Sequence, residues 1–325
     1  MCWLAVDAAR LNQGMIRRRE KSRFGKLTTL AAKMEWHNRA DIAMGCKTLI
    51  ALVLAVGAMQ MSRAQTRREP LWEYGLGIGA IAFQDYPGSD TSHVYPIPVA
   101  YVLYNGTFLK ADRNGVRGML LNQEWVELNV SGGISAPVRN DAVRYGMPEL
   151  RPTIQLGPSV DLHLIHSNAH KVKLDLDLPV RAAFTIASSP QDIGWIFEPR
   201  LNVQFQDIFG TQGWGLDLGS GPMFADRRYH DYFYSVAPQY ATATRPAYTA
   251  PGGYSGTQFG MAIKKRYPKL WFGAYLHYEA LRGAVFADSP LVQRSYDWSA
   301  GFGFAWILGK SSRLVEVPDW VPTAN

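Results

Sequence analysis

The 325-residue sequence has only two cysteines, Cys2 and Cys46, and both fall in its first 64 residues. Beyond them the chain holds no thiol, so a disulfide framework of the kind common in small secreted domains is excluded there. Long apolar runs are missing too. The longest, TLIALVLAVGAMQM after Lys47, is shorter than the roughly 20 residues a spanning helix needs. No stretch of useful length carries helical periodicity, and no low-complexity linker or shift in composition marks a second domain. Charge of one sign is also lacking once the chain is divided. Of 34 Lys and Arg, 11 lie in residues 1–64, as do 4 of the 27 Asp and Glu, which leaves 23 of each sign afterwards. The formal charge of +7 therefore belongs to the first segment, and no nucleic-acid partner is expected.

That first segment reads as an export signal. A basic cluster from Arg17 to Lys26 and the sequence Met44-Gly-Cys-Lys47 precede the apolar run, and Ser62-Arg63-Ala64 places small residues where a signal peptidase reads. Residues 1–64 are expected to be a cleaved signal peptide with a mis-assigned upstream start. The true start is placed near Met34 or Met44, because such signals begin close to their apolar core.

What the rest of the chain does have is period-two alternation. In Lys171–Thr185, Val172, Leu174, Leu176, Leu178, Val180, Ala182 and Phe184 fall on one face and Lys173, Asp175, Asp177 and Arg181 on the other. Successive strand side chains point to opposite faces, so this is a strand with one apolar and one ionic surface. Twelve such segments are expected, at about 72–84, 94–104, 106–112, 115–121, 124–134, 151–164, 171–185, 194–207, 213–225, 254–266, 269–281 and 297–308. A soluble antiparallel sandwich shares the alternation. Many of these segments, however, are as long as a tilted strand must be to cross a bilayer, about ten residues. The connections then alternate between short turns, such as Asn105-Gly106 and Tyr267-Pro268, and mostly longer loops, such as 135–150 and 226–253. An even strand number, short turns at one end and long loops at the other describe an all-β, single-domain transmembrane barrel of outer-membrane type. The barrel is expected over residues 65–308, with a periplasmic tail at 309–325. Trp72, Tyr74, Tyr101, Tyr104, Trp125, Trp195, Trp214, Trp271 and Trp298 sit near strand ends, where aromatic girdles belong.

Four stretches carry a family resemblance. They are GLGIGAIAFQDYPGSD with Tyr95-Pro-Ile-Pro98; Phe108–Gly115; Tyr232–Pro238 with Arg245–Tyr248 and Gly252-Gly-Tyr254; and Ala287–Val292. In this order they resemble the MipA/OmpV family of outer-membrane proteins. The resemblance implies residence in the outer membrane, in contact with its lipid. It also implies a scaffold role, bringing a murein lytic transglycosylase, MltA in the family's name-giving member, together with a bifunctional penicillin-binding protein. The motif residues are Asp85, Tyr86, Pro87, Gly88, Ser89, Asp90, Tyr232, Tyr234, Arg245, Tyr248, Gly252, Gly253, Tyr254, Asp288, Ser289 and Pro290. Most lie in expected external loops. Their residue types suit turns as readily as a ligand site, and turn chemistry with loop packing is the favoured assignment.

Candidate chemistry is sparse. Ser159, Asp161 and His163 share one strand face, but adjacent same-face positions are about 7 Å apart, too far for a direct Ser–His hydrogen bond. His163, His166 and His170 do not converge as metal ligands must. No catalytic residue, metal or cofactor is therefore assigned, and the chain is not expected to be an enzyme. Lys173, Asp175, Asp177, Arg181, Glu198 and Arg200 are expected to line the lumen. Their mixed signs leave a passive channel for small solutes as the alternative to a scaffold, with pairing across the lumen closing it.

Overall fold

A computed structural model gives the structure of residues 66–318, apart from 107–108, 113–114, 124, 139–140 and 168–169. The signal-peptide assignment for residues 1–64 and the last part of the tail lie outside the described residues. The strands are β1 (Thr66–Pro70), β2 (Trp72–Gln84), β3 (Ser92–Asn105), β4 (Leu109–Asp112), β5 (Gly115–Asn122), β6 (Val126–Ser135), β7 (Thr153–Ser167) and β8 (Val172–Thr185). They continue with β9 (Asp192–Phe197), β10 (Arg200–Gln206), β11 (Trp214–Ala225), β12 (Gly253–Arg266), β13 (Leu270–Ala280), β14 (Tyr296–Lys310) and β15 (Leu314–Pro318). An α-helix, α1 (Arg227–Tyr234), sits in the connection between β11 and β12.

Strands β2 to β14 form one antiparallel sheet that closes on itself where β14 pairs with β2. β9 and β10 are two halves of one strand, both lying between β8 and β11. Pro199 falls at the break between them. A proline cannot donate to a ladder, which accounts for the interruption. With these halves counted once the barrel has twelve strands, each overlapping one of the expected segments. Closure leaves no free edge to be satisfied by lipid wherever neighbouring strands run together.

The two faces separate as the alternation requires. Leu76, Ile78, Val180, Phe302, Trp306 and Leu308 are exposed on the outside, while Glu73, Lys173, Asp175 and Lys264 are buried inside. Outward apolar and inward polar side chains are the pattern of an outer-membrane barrel. Two of the girdle aromatics are corrected. Tyr101 and Trp271 turn inward, with ring centroids 5.8 Å apart, because each falls on the lumen parity of its strand. Tyr101 then uses its hydroxyl on Glu73.

The structure adds an element the alternation does not reveal. β1 and β15 form a separate two-stranded antiparallel sheet, Thr66 opposite Pro318 through Pro70 opposite Leu314. The tail is therefore partly strand, and the two ends of the described chain are tied together at the short-turn end of the barrel. One face of this sheet is buried at Glu69 and Val317, while Arg68, Leu314 and Glu316 on the other are exposed.

Candidate functional site

The long loops do not splay outward. Tyr86, Val138, Leu150, Phe233, Tyr234, Ala250, Leu281, Ala284 and Phe286 share one apolar cluster with Ala183, Ile193, Ile196, Met223 and Ala225 of the wall. Its centre is the Tyr234–Phe286 stack, 3.7 Å between centroids and 8° between planes. His230 meets the same Phe286 edge-on at 4.8 Å. Helix α1 supplies three of these rings, and its first turn is capped by Asp226, whose carboxylate accepts from Tyr229 N at 2.9 Å.

The family-motif residues build this cap from within. Tyr86 Oη donates to Leu291 O at 2.8 Å, Tyr234 Oη to Pro87 O at 3.0 Å and Ser289 Oγ to Tyr234 O at 2.7 Å. Ser89 Oγ donates to Asp141 at 3.2 Å, and Gly88, at φ 93°, offers its carbonyl to the amides of Gln293 and Arg294. Arg245 spends its guanidinium on the carbonyls of Val143, Tyr145 and Tyr240. Tyr232 Oη both donates to Arg151 O and accepts from Arg151 N. Tyr248 exchanges backbone bonds with Val236, Tyr254 O accepts from Val285 N, and Tyr254 Oη meets Thr257 Oγ1 at 2.6 Å. A side chain at Gly252 would collide with Arg227 N at 2.6 Å, and Gly253 lies at φ 144°. Asp85 is held by His93 at 3.1 Å, and burial lifts its carboxyl above the usual range. Pro290 O accepts from Gln293 Nε2, while Asp90 and Asp288 are exposed. Burial pushes the phenols of Tyr86, Tyr229 and Tyr234 up, so they remain neutral. The cap residues absent from the motif assignment, Arg144, His230 and Phe286, come from segments whose length alone signals internal structure, since loops beyond about 15 residues rarely lack it.

His230 gives the cap a pH dependence. Its Nδ1 lies 2.6 Å from Pro251 O and its Nε2 2.8 Å from Ser255 Oγ. Burial draws its pKa below 6.5, against that Pro251 contact and the charges of Asp226 and Asp231. An opened cap therefore binds the proton more readily than the closed one. Cap stability should be full above pH 6.5 and fall as the pH drops below it. Hydrogen exchange of residues 227–234 measures this. Exchange that does not accelerate between pH 7.5 and 5.5 beyond the intrinsic rate change, or accelerates equally in His230→Gln, would refute it.

Below the cap, all six expected lumen residues line one cavity of about 330 Å3, together with Asn129, Ser159, Asp161 and His163. Charges pair along and between strands: Lys173 Nζ with Asp175 at 2.7 Å and Arg181 with Glu198 at 2.5 Å. Arg200 donates to Gln258 at 2.9 Å and Asn202 to Asp177 at 2.5 Å. Ser159 Oγ donates to Asp161 at 2.6 Å, whereas His163 Nδ1 faces Asp175 at 2.8 Å. Serine and histidine thus engage different carboxylates. Lower still, Arg266 Nη2 reaches both oxygens of Glu73 at 2.9 and 2.8 Å, a strut from β12 to β2 that passes over two intervening strands.

Comparison with known proteins gives one match to a family model, MltA-interacting protein MipA, over residues 76–308. No curated protein matches the chain in sequence. Among solved structures it is similar to the Vibrio cholerae outer-membrane protein OmpT, at 8% identity and TM-score 0.32, covering 75% of this chain and 100% of that one. It is also similar to the NanC porin, at 7% identity and TM-score 0.32, covering 73% and 98%. A third likeness is to OprG of Pseudomonas aeruginosa, at 9% identity and TM-score 0.21, covering 74% and 97%.

Proposed function

Because the chain belongs to the MltA-interacting protein MipA family, we propose that it is a non-enzymatic scaffold of the outer membrane. On this reading it brings a murein lytic transglycosylase and a penicillin-binding protein together from the periplasmic side. Residues 1–64 serve as the cleaved export signal, and the barrel is the anchor. The observation that carries the reading is the β1–β15 sheet, which presents Arg68, Leu314 and Glu316 beyond the short-turn end of the barrel. Short turns face the periplasm in such barrels, where murein enzymes work. The passive-channel alternative draws support from the 330 Å3 polar cavity. Internal charge pairing and the loop cap weigh against it.

The test is affinity recovery from intact envelopes in mild detergent. A full-length bait is compared with one ending at Ser312, which keeps β14 whole and removes β15, and with Leu314→Asp in the full chain. Co-purification of a lytic transglycosylase or a penicillin-binding protein with the full chain, reduced at least several-fold by either change, supports the scaffold. Absence of both enzymes from the full-length eluate rejects it.

A further inference from the structure

Among the described residues, the barrel wall is not continuous over its whole height. β3 pairs with β2 along its entire length, Ser92 opposite Gln84 through Tyr104 opposite Trp72. On its other side β4 meets only Tyr104 and Asn105. The β4–β5 hairpin is too short to rise further, with strands of four and eight residues against fourteen in β3. Among the described residues, the edge of β3 from Ser92 to Leu103 has no ladder partner. This stretch lies toward the long-loop end, and an unpaired backbone edge facing lipid is costly. β3 also contains Pro96 and Pro98. Two residues apart, they direct their backbone to the same edge, and a proline within a sheet belongs on an unpaired one. The prolines remove two donors that the gap would otherwise strand.

Behind this edge the lumen is largely apolar, with the Asp217–Lys264 pair the charged part of its lining, unlike the polar interior such barrels usually have. A cavity of about 260 Å3 is lined by Ile81, Ile97, Val99, Trp271 and Tyr275. Glycines make its room: a Cβ on Gly303 would stand 2.8 Å from Val99, and one on Gly301 2.6 Å from the Tyr275 ring. Asp217 and Ala262 line both this cavity and the charged one, so the two adjoin. The cap lies over one end of the barrel, and the Arg266–Glu73 strut crosses the other. We propose that the lumen binds a single-chain amphiphile entering sideways through the gap beside β3. Its acyl chain lies against Ile81, Ile97 and Val99, and its polar head sits among the paired charges. The apolar space holds about nine groups the size of a water molecule at ~30 Å3 each, which suits one alkyl segment and not two full chains. This inference is independent of the scaffold reading.

The test uses the full chain in lipid nanodiscs and two probes bearing a photoreactive diazirine in the chain, a lysophosphatidylethanolamine and a free fatty acid. Labelled peptides are mapped by mass spectrometry. Saturable labelling of the inward residues Ile97, Val99 or Tyr275, competed by the unlabelled amphiphile, is expected. The probe that labels at lower concentration identifies the source. Val99→Phe and Gly303→Leu each fill the pocket, and folding is checked by the heat-dependent mobility shift of the barrel. Either should lower inward labelling on the order of tenfold, the scale of a one- or two-carbon misfit in an apolar pocket, with labelling of outward Leu76 and Ile78 unchanged. Labelling confined to outward residues, or inward labelling that a folded variant leaves intact, overturns the proposal.

Discussion

Replacing Glu73 with alanine is expected to destabilise the barrel by about 3–5 kcal/mol, the usual cost of leaving one partner of a buried ion pair alone. Glu73 and Arg266 are 1% and 7% exposed, and Arg266 binds both carboxylate oxygens. Tyr101 donates a further bond to Glu73 at 3.2 Å. Alanine would strand the guanidinium and the phenol together in a region with little access to water. The pair itself need not be worth as much, because desolvation offsets most of its attraction. The double variant Glu73→Leu with Arg266→Met should therefore be markedly more stable than either single alanine variant. Urea unfolding in lipid vesicles, followed by tryptophan fluorescence, measures both. A single-variant loss below about 1 kcal/mol, typical of a solvated surface pair, would show that the strut is wet and bears little.

The second large effect concerns the cap. Phe286 is 1% exposed and touches both Tyr234 and His230. Phe286→Ala should cost about 3–5 kcal/mol, the range for truncating a buried aromatic. That loss falls on loops above a sheet closed by its own ladder, so the cap should open while the barrel stays folded. The expected result is new cleavage by trypsin after Arg144, which is buried in the closed cap, and a rise in single-channel conductance in planar bilayers over the uncut parent. If the loops become cleavable and conductance does not change, the paired lumen charges and the strut close the pore without help, and the cap has no gating part.

Much of the fold is legible in the alternation because lipid and lumen sort side chains by parity. The outward Val172 to Phe184 series and the inward Lys173 to Arg181 series fall where the period-two pattern puts them. What parity cannot supply is the choice of partner. Lys173 bonds Asp175 two residues along its own strand, while Arg181 reaches across to Glu198. That depends on register and side-chain length. β1 is hidden for another reason: TRREP has no apolar alternation, and its partner lies at the far end of the chain. The cap is hidden because its glycines, prolines and serines are turn formers, and its bonds, such as Tyr86 to Leu291, join segments remote in sequence. Helix α1 has eight residues, too few for a periodic signal.

The β1–β15 sheet also bears on how the barrel is shut. A barrel made from one chain has a single seam where its first and last strands meet, here β2 and β14. That seam joins the most widely separated segments and so carries the largest loop-closure entropy. The small sheet extends the same seam past the membrane, with five further residue pairs. It works as a latch on the joint. Strand β14 cannot peel from β2 starting at the short-turn end unless the latch lets go first, so the joint between the first and last strands is guarded at that end.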